Sequence, residues 1–143
     1  MVERQVARAT AIVGLMGIAL IHLLDLPGKL KETPYLGFAY IVLIAGCALV
    51  ALRLVHHDDR PTWYAAAVLA GATIAGYAIN RTIGMPEATG DIGNWLEPLG
   101  LAALFVEAMV VALAVLRLRS PEEEPDRPYY RSATQAQPTR VGR

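Results

Sequence analysis

The chain has 143 residues, 55% of them hydrophobic and only 18% charged, with no formal net charge and a mean hydropathy of +0.38. So little charge cannot coat a water-soluble domain of this length, and a neutral balance without a basic excess speaks against a nucleic-acid partner. A single cysteine, Cys47, excludes an internal disulfide and any cysteine-based metal spacing, and reads as a small core hydrophobe.

In chain order, four apolar runs stand out, at about 6–26, 35–55, 62–80 and 95–118. About 20 helical residues rising 1.5 Å each cross about 30 Å of hydrocarbon. None of the runs alternates with the two-residue period of a barrel strand. A helix satisfies its own backbone polar groups, as lipid demands. The fold class is therefore all-α: a four-helix transmembrane bundle over residues 1–119.

The first run has a signal-peptide look, because Arg4 and Arg8 precede an apolar core. No small-x-small cleavage site follows it, and His22, Asp25, Pro27 and Lys29 come instead, so it reads as a retained helix. Pro27-Gly28 reads as its stop and Pro34 as the start of the second helix. Asp59-Arg60-Pro61 reads as a turn, with Pro61 suited to a first helical position. Asn94-Trp95-Leu96-Glu97 has the spacing of a capping box before the fourth helix, whose first turn tolerates Pro98. Tyr35, Trp63, Tyr64 and Trp95 fall near helix ends, where interfacial aromatic anchors belong. From Ser120 the chain turns charged and proline-broken (Pro121-Glu122-Glu123-Glu124-Pro125), so 120–143 reads as a disordered cytoplasmic tail.

The basic residues orient the bundle. With the N-terminus inside, the inner segments hold Arg4, Arg8, Arg53, Arg60, Arg117 and Arg119, and the outer loops hold only Lys29, Lys31 and Arg81. Lys and Arg concentrate on the cytoplasmic side, so both termini are expected there, in a multi-pass protein of the cytoplasmic membrane. The third helix is rich in small residues, and the pairs Ala67/Gly71 and Ala72/Gly76 predict close backbone approach at the centre of the bundle. Gly100, Ala103, Glu107 and Ala114 share one face of the fourth helix by their spacing.

Few polar residues fall at membrane depth. Glu107 sits near the midplane, where an ionised carboxylate costs about 3 kcal/mol on insertion scales. It is expected to face the bundle, either protonated or paired with a cation. His22 and Asp25 are three apart on one helix face, and Asp25 could orient the imidazole as a ligand. Thr73, Tyr77 and Arg81 form a polar stripe, with Asn80 beside it. Arg81 can snorkel to the headgroups or turn inward towards Asp25, Glu87, Asp91, Glu97 or Glu107. The connection 82–94 is the longest, and its Gly and Pro content suits a shaped loop over the outer end. His56-His57-Asp58-Asp59 reads as a charged turn rather than a metal site, since adjacent residues project apart.

Asn80-Arg81-Thr82-Ile83-Gly84-Met85-Pro86, Asp91-Ile92-Gly93-Asn94-Trp95-Leu96-Glu97-Pro98-Leu99-Gly100 and Leu23-Leu24-Asp25-Leu26-Pro27-Gly28-Lys29-Leu30 resemble segments of small four-helix integral membrane proteins of actinobacteria. The resemblance covers roughly 5–118. It implies a fold and a location, and it brings no activity, substrate, cofactor or catalytic residue. The chain carries no Gly-rich phosphate loop, His-Glu-x-x-His, Cys-x-x-Cys-His or Gly-x-Ser-x-Gly motif. The expected function is a non-enzymatic accessory or ligand-binding module. Its polar pocket would be formed by His22, Asp25, Tyr77, Arg81 and Glu107 in the outer half of the bundle. One alternative is transport of a proton, metal ion or small solute through Glu107, for which so small a bundle would need a homo-oligomer or a larger membrane complex. Another is a redox protein holding haem or quinone with His22 as ligand.

Overall fold

The computed structural model describes residues 2–120; the expected tail, Ser120 apart, lies outside the described residues. The described chain folds as four helices and no strand: α1 (Val2–Glu32), α2 (Pro34–His56), α3 (Arg60–Thr82) and α4 (Pro98–Arg119), with a single 3-10 turn at Thr89–Asp91. Each of the four is long and apolar enough to cross a membrane. Large apolar side chains such as Leu24, Phe38, Leu49, Val68, Phe105 and Leu116 lie on the outside of the bundle. In water they would form an aggregating surface; against lipid they meet a solvent as apolar as themselves.

Local chemistry sets the helix ends. Asp59 caps α3: its carboxylate accepts from the Thr62 amide at 2.9 Å and from the Thr62 hydroxyl. Arg53 Nη2 lies 3.0 Å from the same carboxylate, and Arg53 Nε donates to Thr62 Oγ1 at 2.8 Å. The Thr62 hydrogen bonds, with Arg53 behind them, hold the Asp59 carboxyl down at about 2.

Two helix ends differ from the sequence expectation. Pro27-Gly28 does not stop α1, which runs on to Glu32. Proline removes one N–H, but neighbouring helices can support the freed backbone. Here the last turn of α1 is seated on α2: a Cβ on Gly37 would lie only 2.6 Å from Leu30 Cδ2 and 3.0 Å from Leu30 Cα. At α4, Asn94 is not the cap. The helix starts at Pro98, and Glu97 caps it by accepting from the amides of Leu99 at 3.0 Å and Gly100 at 2.6 Å. The Pro98 ring disfavours helical backbone at the residue before it, and Glu97 is accordingly extended (φ −65°, ψ 121°).

Packing runs α2–α1–α4–α3, with α2 and α3 closing the ring more loosely and α1 barely touching α3. The dry core gathers Leu15 and Ile18 of α1, Cys47 and Leu54 of α2, Trp63 and Ala66 of α3, and Val110 of α4. The shared helix is thus α1 rather than α3. The tightest glycine contact between α1 and α4 is at Gly14, where a Cβ would fall 2.5 Å from Val110 Cγ2 and 2.9 Å from Met109 Cε. The α3 stripe makes no comparable approach, since a Cβ on Gly71 would meet nothing within 4 Å. Gly14→Leu is therefore expected to destabilise the detergent-solubilised protein by about 1–3 kcal/mol through overpacking, whereas Gly71→Ala should leave it unchanged. Equal thermal unfolding of the two variants would contradict this packing.

Candidate functional site

Glu107 is the tenth of the 22 residues of α4. It lies on the face shared with Ala103, Val110 and Ala114, and only 2% of it is exposed. The expected small-residue face does turn a carboxyl into the bundle. Opposite it stands His22 of α1, also buried, with Nε2 4.0 Å from Glu107 Oε1. The other ring nitrogen, Nδ1, lies 2.9 Å from the Ile18 carbonyl oxygen. A carbonyl only accepts, so Nδ1 carries the hydrogen and Nε2 is left as the atom that gains or loses a proton. Two charge arrangements satisfy the pair, imidazole with carboxylic acid or imidazolium with carboxylate. Both give the facing pair one proton, carried by Nε2 or by the carboxyl, across a 4.0 Å separation. The Thr73 hydroxyl of α3 approaches the Glu107 carboxyl.

The imidazole is held from a second side. Tyr40 of α2 meets its ring edge-on, with centroids 4.7 Å apart at 78°, and the Tyr40 hydroxyl donates to Asp25 Oδ2 at 3.3 Å. All four helices thus contribute a polar group: His22 and Asp25 from α1, Tyr40 from α2, Thr73 from α3 and Glu107 from α4.

Arg81 and Tyr77 form a second cluster at the end of the bundle that carries the 83–97 connection, here called the long-loop end. Arg81 is only 7% exposed. It turns inward: Nη1 lies 2.8 Å from Asp91 Oδ1, Nη2 3.7 Å from Glu97 Oε2, and the guanidinium 4.9 Å from the Tyr77 ring centre. Asp91 also accepts from Asn80 Nδ2 at 3.0 Å and from Lys29 Nζ at 3.4 Å. Burial works against its carboxylate, but the Arg81 and Asn80 hydrogen bonds and the Lys29 charge hold it below the usual carboxylate range. The loop is pinned further by Tyr35, whose hydroxyl donates to the Pro86 carbonyl at 2.6 Å, and by Tyr77, which donates to the Trp95 carbonyl at 3.0 Å. Three side-chain atoms at this end are buried without a protein partner: Arg81 Nε, Asn80 Oδ1 and Thr33 Oγ1.

The five residues anticipated from the sequence are thus divided. His22 and Glu107 face one another directly, and Asp25 reaches them through Tyr40. Tyr77 and Arg81 sit together beneath the loop. Tyr40 joins α2 to the first cluster through His22 and Asp25. Tyr40 and Lys29 are the residues that sequence reasoning passed over. Tyr40 had a signal, a phenol one turn inside an otherwise apolar span, where a polar tip needs a partner. His56, His57, Asp58 and Asp59 gather no metal-type set, and no group of three or more His, Cys, Asp or Glu side chains suited to a metal is found among the described residues. No protein-family model matches the chain, and neither a curated protein nor a solved structure is significantly similar to it.

Removing the Asp91 charge leaves buried Arg81 with Glu97 as its remaining carboxylate, at 3.7 Å. Asp91→Asn should cost about 2–3 kcal/mol of stability at neutral pH, since a buried cation loses its nearer partner. Because the folded state holds the Asp91 proton more weakly than the unfolded chain, its contribution is complete above the ordinary carboxylate range and fades as pH falls below about 4. Thermal unfolding in detergent between pH 7 and pH 3 measures both, and Asp91→Asn should flatten part of the acid slope. An unchanged slope with unchanged stability would remove the clamp.

Proposed function

We propose that this chain is a multi-pass protein of the cytoplasmic membrane, with both termini cytoplasmic, that serves as a ligand-binding or accessory module. The orientation rests on Arg4, Arg8, Arg53, Arg60, Arg117 and Arg119 standing at one end against Lys29, Lys31 and Arg81 at the other. At that second, outer end, two of the three cations are already engaged with Asp91. The observation that carries the functional reading is the gathering of polar side chains from four apolar helices around the buried His22–Glu107 pair. A bundle held together only by packing has no need of a carboxyl and an imidazole at mid-span. Groups that can both give and take a hydrogen bond there suit a small polar or protonated guest entering from the outer half. The unpartnered Arg81 Nε and Asn80 Oδ1 offer that guest one donor and one acceptor.

Dicyclohexylcarbodiimide tests this reading. It is an apolar reagent that couples to protonated carboxyl groups in apolar surroundings. A pocket reaching Glu107 should give one modified residue, located by mass spectrometry at Glu107, lost in Glu107→Gln and fading as pH is raised. A wild-type Glu107 that stays unlabelled across the pH range would mean a sealed structural carboxyl and would end the reading.

A second reading, proton handling, is favoured by one specific observation: the Nε2-to-Oε1 approach at 4.0 Å, which sets two titratable groups face to face. Acid-driven proton uptake into proteoliposomes should then fall to the protein-free rate in both Glu107→Gln and His22→Gln. Uptake equal to wild type in either variant removes that residue from the role.

A further inference from the structure

We propose that the His22–Glu107 pair binds the hydroxyl group of a membrane-soluble alcohol or phenol, which enters from the lipid through a gap between α2 and α3. The inference rests on the ligand-binding reading above and adds the class of ligand and its route.

The route follows from where α2 and α3 part. A spacing of seven keeps Arg53, Gly46 and Ala39 on one side of α2, and Thr62, Leu69 and Gly76 on one side of α3. The two series face each other as rungs of a ladder. The first rung is closed by Arg53 Nε donating to Thr62 Oγ1 at 2.8 Å. The second is closed by packing, since a Cβ on Gly46 would lie 3.2 Å from Leu69 Cδ2. The third, Ala39 against Gly76, is open. Ala39 is exposed, and around a Cβ on Gly76 only Met85 Cε of the long loop lies within 4 Å, at 3.8 Å. The inward faces open at the same level. On α2 the buried series Leu54, Ala51, Cys47 continues to half-buried Ile44 and Tyr40. On α3 the buried series Trp63, Ala66, Ala70 continues to half-buried Thr73 and Tyr77. Beside the open rung stand Tyr40 and Thr73, the two side chains that reach the pair from these helices. Small residues at the rung leave room for an apolar chain, and Val42, 57% exposed, carries the gap out to lipid.

The pair selects the head group. His22 is 9% and Glu107 2% exposed. Among the described residues His22 Nε2 makes no hydrogen bond, because Glu107 Oε1 is 4.0 Å away. An oxygen set to one side can lie about 2.8 Å from both atoms at once. A hydroxyl both gives and takes a hydrogen bond. Against imidazole and carboxylic acid it donates to Nε2 and accepts from the acid. Against imidazolium and carboxylate the two bonds reverse. An ether or carbonyl oxygen only accepts, so it serves one member of the pair and turns a lone pair to the other. An ammonium meets the imidazolium as a like charge, and it must first cross hydrocarbon charged.

The test uses the full chain in phosphatidylcholine nanodiscs, at the pH of greatest wild-type coupling of dicyclohexylcarbodiimide to Glu107. 1-Dodecanol should slow that coupling about tenfold, and dodecyl methyl ether or dodecane less than about twofold, because the site is left with an unpaired polar group when the donor is missing. A dodecanol carrying a diazirine on its chain should photolabel residues 39–46 and 72–76. Ala39→Leu and Gly76→Leu fill the open rung and should each cut this photolabelling about tenfold by occupying the chain's place. Ala39 is exposed, so its variant carries the test if Gly76→Leu misfolds. Lys31→Gln should change nothing. Undiminished photolabelling in the leucine variants overturns the lateral route. Equal protection by alcohol and ether overturns the hydroxyl site. No protection by the alcohol while wild-type Glu107 still couples also overturns it, assigns the 4.0 Å separation to water, and leaves the ligand-binding reading standing. A wild-type Glu107 that never couples removes that reading and this inference with it.

Discussion

A carboxyl group carried to the middle of an apolar 22-residue helix has no water to turn to, and the bundle around position 107 supplies what water would. His22 offers a nitrogen that can donate or accept, because its other nitrogen is committed to the Ile18 carbonyl. Thr73 brings a hydroxyl, and Tyr40 holds the imidazole edge-on while its own hydroxyl rests on Asp25. Each partner answers the polarity of the one before it. The chain ends at Asp25 and at the loop cluster, where charge can meet the membrane surface.

The two ends of the bundle are closed by the same chemistry put to different uses. At the short connection between α2 and α3, Asp58 and Asp59 draw Arg117 and Arg53 onto the bundle and cap α3, so two adjacent carboxylates fix three helices. At the long-loop end, Asp91 is carried by the loop itself and reaches back to Lys29 and Arg81. The first arrangement sits on a three-residue turn and has little room to change. The second holds down a fifteen-residue connection, 83–97, through a handful of contacts, and such segments open at lower cost than packed helices. A guest reaching Glu107 from that end would have to pass the Arg81–Asp91 contact, so any gate is electrostatic before it is steric.

Much of this was legible in the sequence because lipid imposes strong rules. Run lengths near 20 residues gave four helices, and the spacing of Gly100, Ala103, Glu107 and Ala114 placed the carboxyl inward. What was not legible depended on which helix lies beside which. Small residues on α3 suggested a central helix, yet Gly71 faces open space and Gly14 of α1 makes the close approach, because a small side chain permits contact without specifying a partner. Tyr40 was hidden for the same reason: its role exists only once α2 lies beside His22. The expected single pocket became two clusters because Arg81 had several carboxylates in range by sequence and took those of the loop and the α4 cap.

The extension of α1 past Pro27 ties these points together. Had the helix stopped there, Lys29 would have fallen in a loose turn, and Asp91 would have faced Arg81 as its one cation beside Asn80. The final turn of α1 is kept by Leu30 packing against the bare backbone of Gly37, which leaves α2 no room for a side chain at that position. That contact fixes the rotation of α1 about its axis, and residues 22, 25 and 29 fall on one side of the helix by their spacings of three and four. The same rotation points His22 at Glu107, Asp25 at Tyr40 and Lys29 at Asp91. The helix end that sequence rules alone would have cut short is therefore the element that aligns the site with the loop above it.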